Sequence, residues 1–249
     1  MRRPVPFTAL LRSEWTKLRS LRSTWWCTAV YLLAVGGTAW LAAASTDTSP
    51  RADAAVSVAL TGFGFGQLVL LVLGVLVVTT EFASGMALVT LTATPRRIRL
   101  LLAKTVVVTA YCALLTTVLV PVCFLAARTL ISVPGGVPWA DPSVLRSLGL
   151  QVGAAALVAI LAVALGALLR STAGAVGLGA ALVFALPPVL ALTGGKLAST
   201  VSQALPALRV GEDAFLAVET TWPVGMAVVA GWAIVGWVLS AILLARRDV

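Results

Sequence analysis

The chain has 249 residues, 60% hydrophobic and only 11% charged, with a formal net charge of +9 and no histidine. A soluble domain of that length carries roughly a quarter charged residues. The composition and a mean hydropathy of +1.03 therefore exclude a soluble fold, and the absence of histidine removes His-based acid–base catalysis and most zinc sites. Several apolar runs exceed the ~18–20 residues that cross a bilayer as helix, which makes this an all-α integral membrane protein. The length is used up by one membrane domain of six helices, 1–249. Cys27, Cys112 and Cys123 all fall inside apolar runs and read as packing residues, with neither metal spacing nor a disulfide framework.

Residues 1–24 form a basic tail with helical periodicity. Phe7, Leu10, Leu11, Trp15, Leu18, Leu21 and Trp25 recur at three- and four-residue steps, and Arg12, Lys17 and Arg19 lie on the opposite face. An amphipathic, Arg-rich helix with Trp on its apolar side suits the plane of the inner membrane surface. Glu14 interrupts the apolar arc. Two readings stay open for it: a local pair with Lys17, or a contact with a partner protein or a basic loop.

The spans follow at about 25–44, 56–80, 100–127, 147–169, 173–192 and 223–244. Gly62 and Gly66 have the small-xxx-small spacing of close helix contacts, and Gln67 beside them reads either as part of that packing or as a pathway lining. Pro121 is a candidate kink, and Pro187-Pro188 should break or bend the fifth span. The very short turn Arg170-Ser171-Thr172 makes spans four and five antiparallel neighbours. Residues 193–223 hold apolar pieces too short to cross and read as half-helices at the outer surface.

Between spans two and three, residues 79–104 open on Glu81 and close on the basic cluster Pro95-Arg96-Arg97-Ile98-Arg99. Thr94-Pro95 is a helix-start signal. Phe82, Met86, Val89 and Leu91 offer apolar groups for docking, whereas Glu81, Thr90, Arg96 and Arg97 could fix orientation, and Gly85 permits a sharp turn. The arginines equally suit lipid phosphates. Basic residues gather in the tail, at this loop, at Arg170 and at Arg246-Arg247, leaving Arg51, Arg128, Arg146, Lys196 and Arg209 for the other side. The positive-inside effect then places both termini in the cytoplasm and accounts for the net charge without nucleic acid.

No ionisable residue falls near the middle of any span, which disfavours an ion-coupled transporter. No Walker A sequence is present; Gly194-Gly195-Lys196 lacks both the first Gly and the Ser/Thr. Uphill transport would need energy from a separate subunit.

Three groups of residues carry a family resemblance: Ser13-Glu14-Trp15-Thr16-Lys17-Leu18-Arg19 before span one, Glu81-Phe82-x-Ser84-Gly85 with Thr90-Leu91-Thr92-x-x-Pro95-Arg96-Arg97 after span two, and Arg170-Ser171-Thr172-Ala173-Gly174 between spans four and five. In this order they resemble the permease subunits of ABC-2-type ABC transporters, the actinobacterial ones in particular. The resemblance implies a type V exporter-like membrane domain in the bacterial cell membrane, with two permease subunits, identical or different, paired with two ABC ATPase subunits that hold the ATP and magnesium, so that this chain carries no cofactor. It also implies an interfacial helix over 7–22 (Glu14, Trp15, Lys17, Arg19), an ATPase-coupling loop (Glu81, Phe82, Gly85, Met86, Thr90, Leu91, Pro95, Arg96, Arg97) and an exit segment over 194–222 (Pro206, Glu212, Asp213). An amphiphilic drug, antibiotic or lipid-like molecule is the expected cargo. A secondary transporter or channel, or a membrane assembly or sensory subunit without transport, are the rival readings.

Overall fold

The computed structural model describes residues 6–46, 52–86, 97–131, 141–186, 189, 192 and 222–246, and every element among them is helical. Helix α1 spans Phe7–Ser20 and α2 spans Arg22–Ala44. The apolar stripe read as continuous from Phe7 to Trp25 is broken at Leu21, which is extended (φ −74°, ψ 124°). Three local donors stabilise that break by taking up carbonyls freed at the end of α1. The Leu21 N–H and the Ser20 hydroxyl donate to the Lys17 carbonyl, and the Trp25 indole donates to that of Arg19.

The second expected span is divided into α3 (Ala52–Leu60) and α4 (Phe63–Ala83) by a turn at Thr61-Gly62. Contact with α2 explains the glycines here: a Cβ on Gly62 would overlap the Thr38 hydroxyl and Val35 backbone, and one on Gly66 would overlap Val35 and Tyr31. The small-xxx-small pair thus packs α4 on α2. Helix α5 covers Arg97–Leu130 and passes through Pro121 without ending. Helix α6 covers Pro142–Leu169, starting five residues before the expected span because Pro142 fills the first helical position after Asp141. Helix α7 covers Thr172–Ala180 and widens into a π turn over Ala181–Ala185. Helix α8 covers Trp222–Arg246.

Among the described residues, five stretches are long and apolar enough to cross a membrane: Arg22–Ala44, Ala55–Ala83, Arg97–Leu130, Val144–Leu169 and Pro223–Arg246. The fifth expected span is seen as the shorter apolar stretch Thr172–Ala185, and Pro187-Pro188 lie outside the described residues. Helix α6 is the centre of the bundle and packs on α4, α5, α7 and α8. Close approach to α4 depends on small residues at the seam: a Cβ on Gly74 would lie 2.7 Å from Ala162 Cβ, and one on Gly166 3.1 Å from Val78 Cβ.

Side-chain bonds fix the relative level of the helices. Thr28 meets the Tyr111 hydroxyl at 2.7 Å and Tyr31 meets Thr116 at 2.8 Å, so α2 and α5 run parallel. Trp237 donates to Thr105 at 2.9 Å and Arg97 to the Leu244 carbonyl at 3.3 Å, so α8 runs opposite to α5. In this register the exposed Trp25 lies near residue 108 of α5 and near Trp232 of α8, itself partly exposed. Tryptophans at one level mark the bilayer interface. Lys104 lies about 6 Å beyond them, towards the α1 end.

Candidate functional site

Four charged side chains close a ring at the α1 end of the bundle. Lys17 Nζ lies 2.8 Å from Glu14 Oε1 and 3.1 Å from Glu81 Oε1, while Lys104 Nζ lies 2.9 Å from Glu81 Oε1 and 2.7 Å from Glu14 Oε2. Two acids and two lysines give no net charge. Each member is there for a local reason. Glu14 and Lys17 stand three residues apart on α1 and so share a face. Glu81 closes the last turn of α4, and Lys104 is two turns into α5.

The ring is largely withdrawn from water, with side-chain exposures of 3% for Glu14, 6% for Lys104, 14% for Glu81 and 25% for Lys17. Burial alone pushes the Glu14 carboxyl up, but the charge and hydrogen bond of Lys104, with those of Lys17, outweigh it and hold Glu14 below its ordinary value. Burial likewise pushes Lys17 down, and Glu14 and Glu81 outweigh it and hold Lys17 above its ordinary value. At neutral pH both residues are therefore ionised. A buried ring of this kind fixes geometry more than it adds stability, because desolvation offsets much of the attraction.

The same end of the bundle is tied to each remaining long helix. Trp15 packs edge-on against Tyr111 with ring centroids 6.1 Å apart, and Tyr111 holds Thr28 of α2. The Arg170 guanidinium sits 5.1 Å from the Phe82 ring centroid, and Thr172 donates to Thr79 at 2.8 Å, so the α6–α7 turn is fastened to the end of α4. Arg170 adopts φ 53°, a left-handed turn that lets the chain reverse between α6 and α7. Arg97 holds the last turn of α8 through the Leu244 carbonyl.

Of the residues singled out in the sequence, Glu14, Lys17 and Glu81 meet in the ring, Phe82 next to Glu81 packs on Arg170, and Arg97 reaches the Leu244 carbonyl of α8. Trp15 packs on Tyr111, and Arg19 contributes its carbonyl to Trp25. Of the two readings of Glu14, the local pair with Lys17 is seen, and Glu14 also pairs with Lys104, two turns into α5. The apolar face of α1 packs on α5, with Leu18 and Glu14 buried, while Arg12 and Arg19 are exposed. Gly85 takes φ 73°, and Met86 beside it is 49% exposed. Val89, Thr90, Leu91, Pro95 and Arg96, and the exit-segment residues Pro206, Glu212 and Asp213, lie outside the described residues.

Sequence reasoning did not single out Lys104, Tyr111, Thr105 or Trp237. Lys104 left a signal that could have been used. It is an isolated cation inside an otherwise apolar run after Arg99, and a lysine there requires a buried acid.

Comparison with known families gives a match. A family model described as an ABC-2 family transporter protein matches residues 10–188, well over half the chain, including α1 from Leu10 on, both flanks of the loop and the α6–α7 turn. Comparison with curated proteins finds no match.

Proposed function

The chain belongs to the ABC-2 family of transporter proteins and is a multi-pass permease subunit of an ABC transporter; from that premise we propose that it exports its cargo and takes its driving force at the α1 end. Both termini face the cytoplasm in this reading, as the distribution of basic residues supports. An ABC ATPase subunit holds ATP and magnesium and docks against residues 79–104 and the exposed side of α1. The permease itself pairs with a second permease subunit and catalyses no reaction. An amphiphilic drug, antibiotic or lipid-like cargo suits spans so poor in charge.

The observation that carries the coupling claim is the closed ring of Glu14, Lys17, Glu81 and Lys104. A force on the loop between α4 and α5 acts on Glu81 at one flank and on Arg97 and Lys104 at the other. Through the ring α1 has to follow, and through Tyr111, Arg170, Thr172 and the Leu244 carbonyl so do α2, α6, α7 and α8. The loop thereby grips the whole described bundle at one end. Closure of two ATPases on ATP would shift that end and reopen the bundle on the other side.

Purification in mild detergent tests the proposal. The chain should bring down a subunit with a Walker A sequence, and Glu81→Ala and Arg97→Ala should leave expression in place while reducing ATP-driven transport. Purification without an ATPase, or full transport in both variants, would refute coupling at this end.

A further inference from the structure

Away from the charged ring, two glutamines break an apolar seam. Gln67 of α4 and Gln151 of α6 are 2% and 1% exposed. Gln67 Oε1 and both amide atoms of Gln151 have no hydrogen-bond partner among the described residues. Helices in lipid have no water nearby to satisfy such groups, so a buried amide left open asks for an occupant.

The register brings the two glutamines to one place. Gly74 faces Ala159 and Ala162, while Gly166 faces Val75 and Val78, so α4 and α6 run parallel through this contact. Gln67, Leu71, Gly74 and Val78 follow at three- and four-residue steps, as do Gln151, Ala155, Ala159, Ala162 and Gly166, which places each glutamine on its helix's seam-facing row. Seven residues before Gly74, Gln67 lies level with residues 152–155 of α6, within about one turn of Gln151. Towards the α1 end the same seam is closed by Gly74, Ala159, Ala162 and Gly166 in tight contact. Towards the far end it continues through Ser147, fully buried one turn before Gln151 on the same row. The seam is thus small and apolar on one side and polar on the other.

We infer that the α4–α6 seam holds a hydrogen-bonding site, built on Gln67 and Gln151, for a neutral polar group of the cargo, reached when the seam parts at the end opposite α1. A carboxamide both donates and accepts and carries no charge, so the group it fits is a hydroxyl or amide on an otherwise apolar molecule. The site rests on the permease reading and deepens it: the structure holds the seam shut, and the open amides make that closed state less stable than an apolar seam would be.

Cysteine labelling in intact cells expressing the full transporter tests this, with a membrane-impermeant biotin maleimide as the probe. Ser45→Cys, exposed at the far end of α2, reports which side that end faces. Gln67→Cys and Gln151→Cys report the seam, against the native chain as background. Both seam variants should label several-fold faster during ATP turnover than after ATP depletion. If Ser45→Cys labels only in inside-out vesicles, the orientation is reversed and the seam is assayed in those vesicles instead. No seam labelling in either state overturns the site. Gln67→Met and Gln151→Met supply the second measurement. Each should raise the unfolding temperature by about 2–4 °C and slow coupled ATP turnover. A lower unfolding temperature would mean that a resident water satisfies the amides, and a higher one with unchanged turnover would mean that they take no part; either result overturns the inference.

Discussion

Lys104→Met removes the cation that holds Glu14 and Glu81 together. In the native chain Lys104 is 6% exposed and lies 2.7 and 2.9 Å from the two carboxylates. Without it both acids face Lys17 alone, the most exposed member of the ring, and one negative charge is left uncompensated at a nearly dry site. Removing one partner of a buried pair costs about 3–5 kcal/mol. The partial exposure of Glu81 favours the low end, about 3 kcal/mol. At about 2–4 °C per kcal/mol for a chain of this size, the unfolding temperature should fall by about 6–12 °C. Fluorescence-detected size-exclusion after stepwise heating measures it in detergent. Glu14→Gln combined with Lys104→Met removes one charge of each sign, and the pair should be less damaging than the sum of its singles by at least about 1 kcal/mol. A fall below about 2 °C for Lys104→Met, or losses that simply add, would refute the ring as a unit.

The ring also sets a pH window. Glu14 is held below its ordinary 4.5, so its contribution is complete above that value and is lost as the pH falls through the lower folded value. Lys17 is held above its ordinary 10.5, so its contribution is complete below that value and is lost as the pH rises through the higher folded one. Unfolding temperature against pH should therefore show a plateau between about 5 and 10, which in Glu14→Gln should be lower and lack the part of the acid-side fall that Glu14 supplies. Gly74→Ala drives a methyl into Ala162 and should destabilise by about 1–3 kcal/mol, whereas Gly149→Ala, with open space around it, should be neutral or slightly stabilising. Thr79→Val removes the acceptor of Thr172 and should cost about 0.6 kcal/mol, measured by thermal unfolding. Arg97→Met frees the Leu244 carbonyl, and hydrogen exchange should quicken in the last turn of α8.

The fold was legible where it follows from length and periodicity. Long apolar runs gave the spanning helices, and the three- and four-residue steps of Leu10, Leu11, Trp15 and Leu18 gave α1 together with its odd acid, Glu14. The break at Leu21 was not legible, because it depends on a Trp25 indole reaching back to the Arg19 carbonyl. Nor was the Thr61-Gly62 turn, which is set by how closely α2 approaches. At the site, Glu81 and Arg97 were found because charge at the end of an apolar run is conspicuous. Glu14 was conspicuous too, but its partner Lys104 lies 90 residues away in sequence, and no local pattern links them. Gln151 passed unnoticed for a similar reason: a neutral amide within an apolar helix stands out only once the described residues around it are seen to offer it no partner.

Photo-crosslinking from position 86 tests the coupling claim most directly. Met86 follows Gly85 immediately beyond α4 and is exposed. A photo-reactive residue there, in the native membrane, should give an adduct with a chain carrying a Walker A sequence, and the adduct should weaken when Lys104→Met loosens the ring behind it. Adducts with lipid alone, or an ATPase adduct of equal yield from position 45 at the opposite end, would contradict the account.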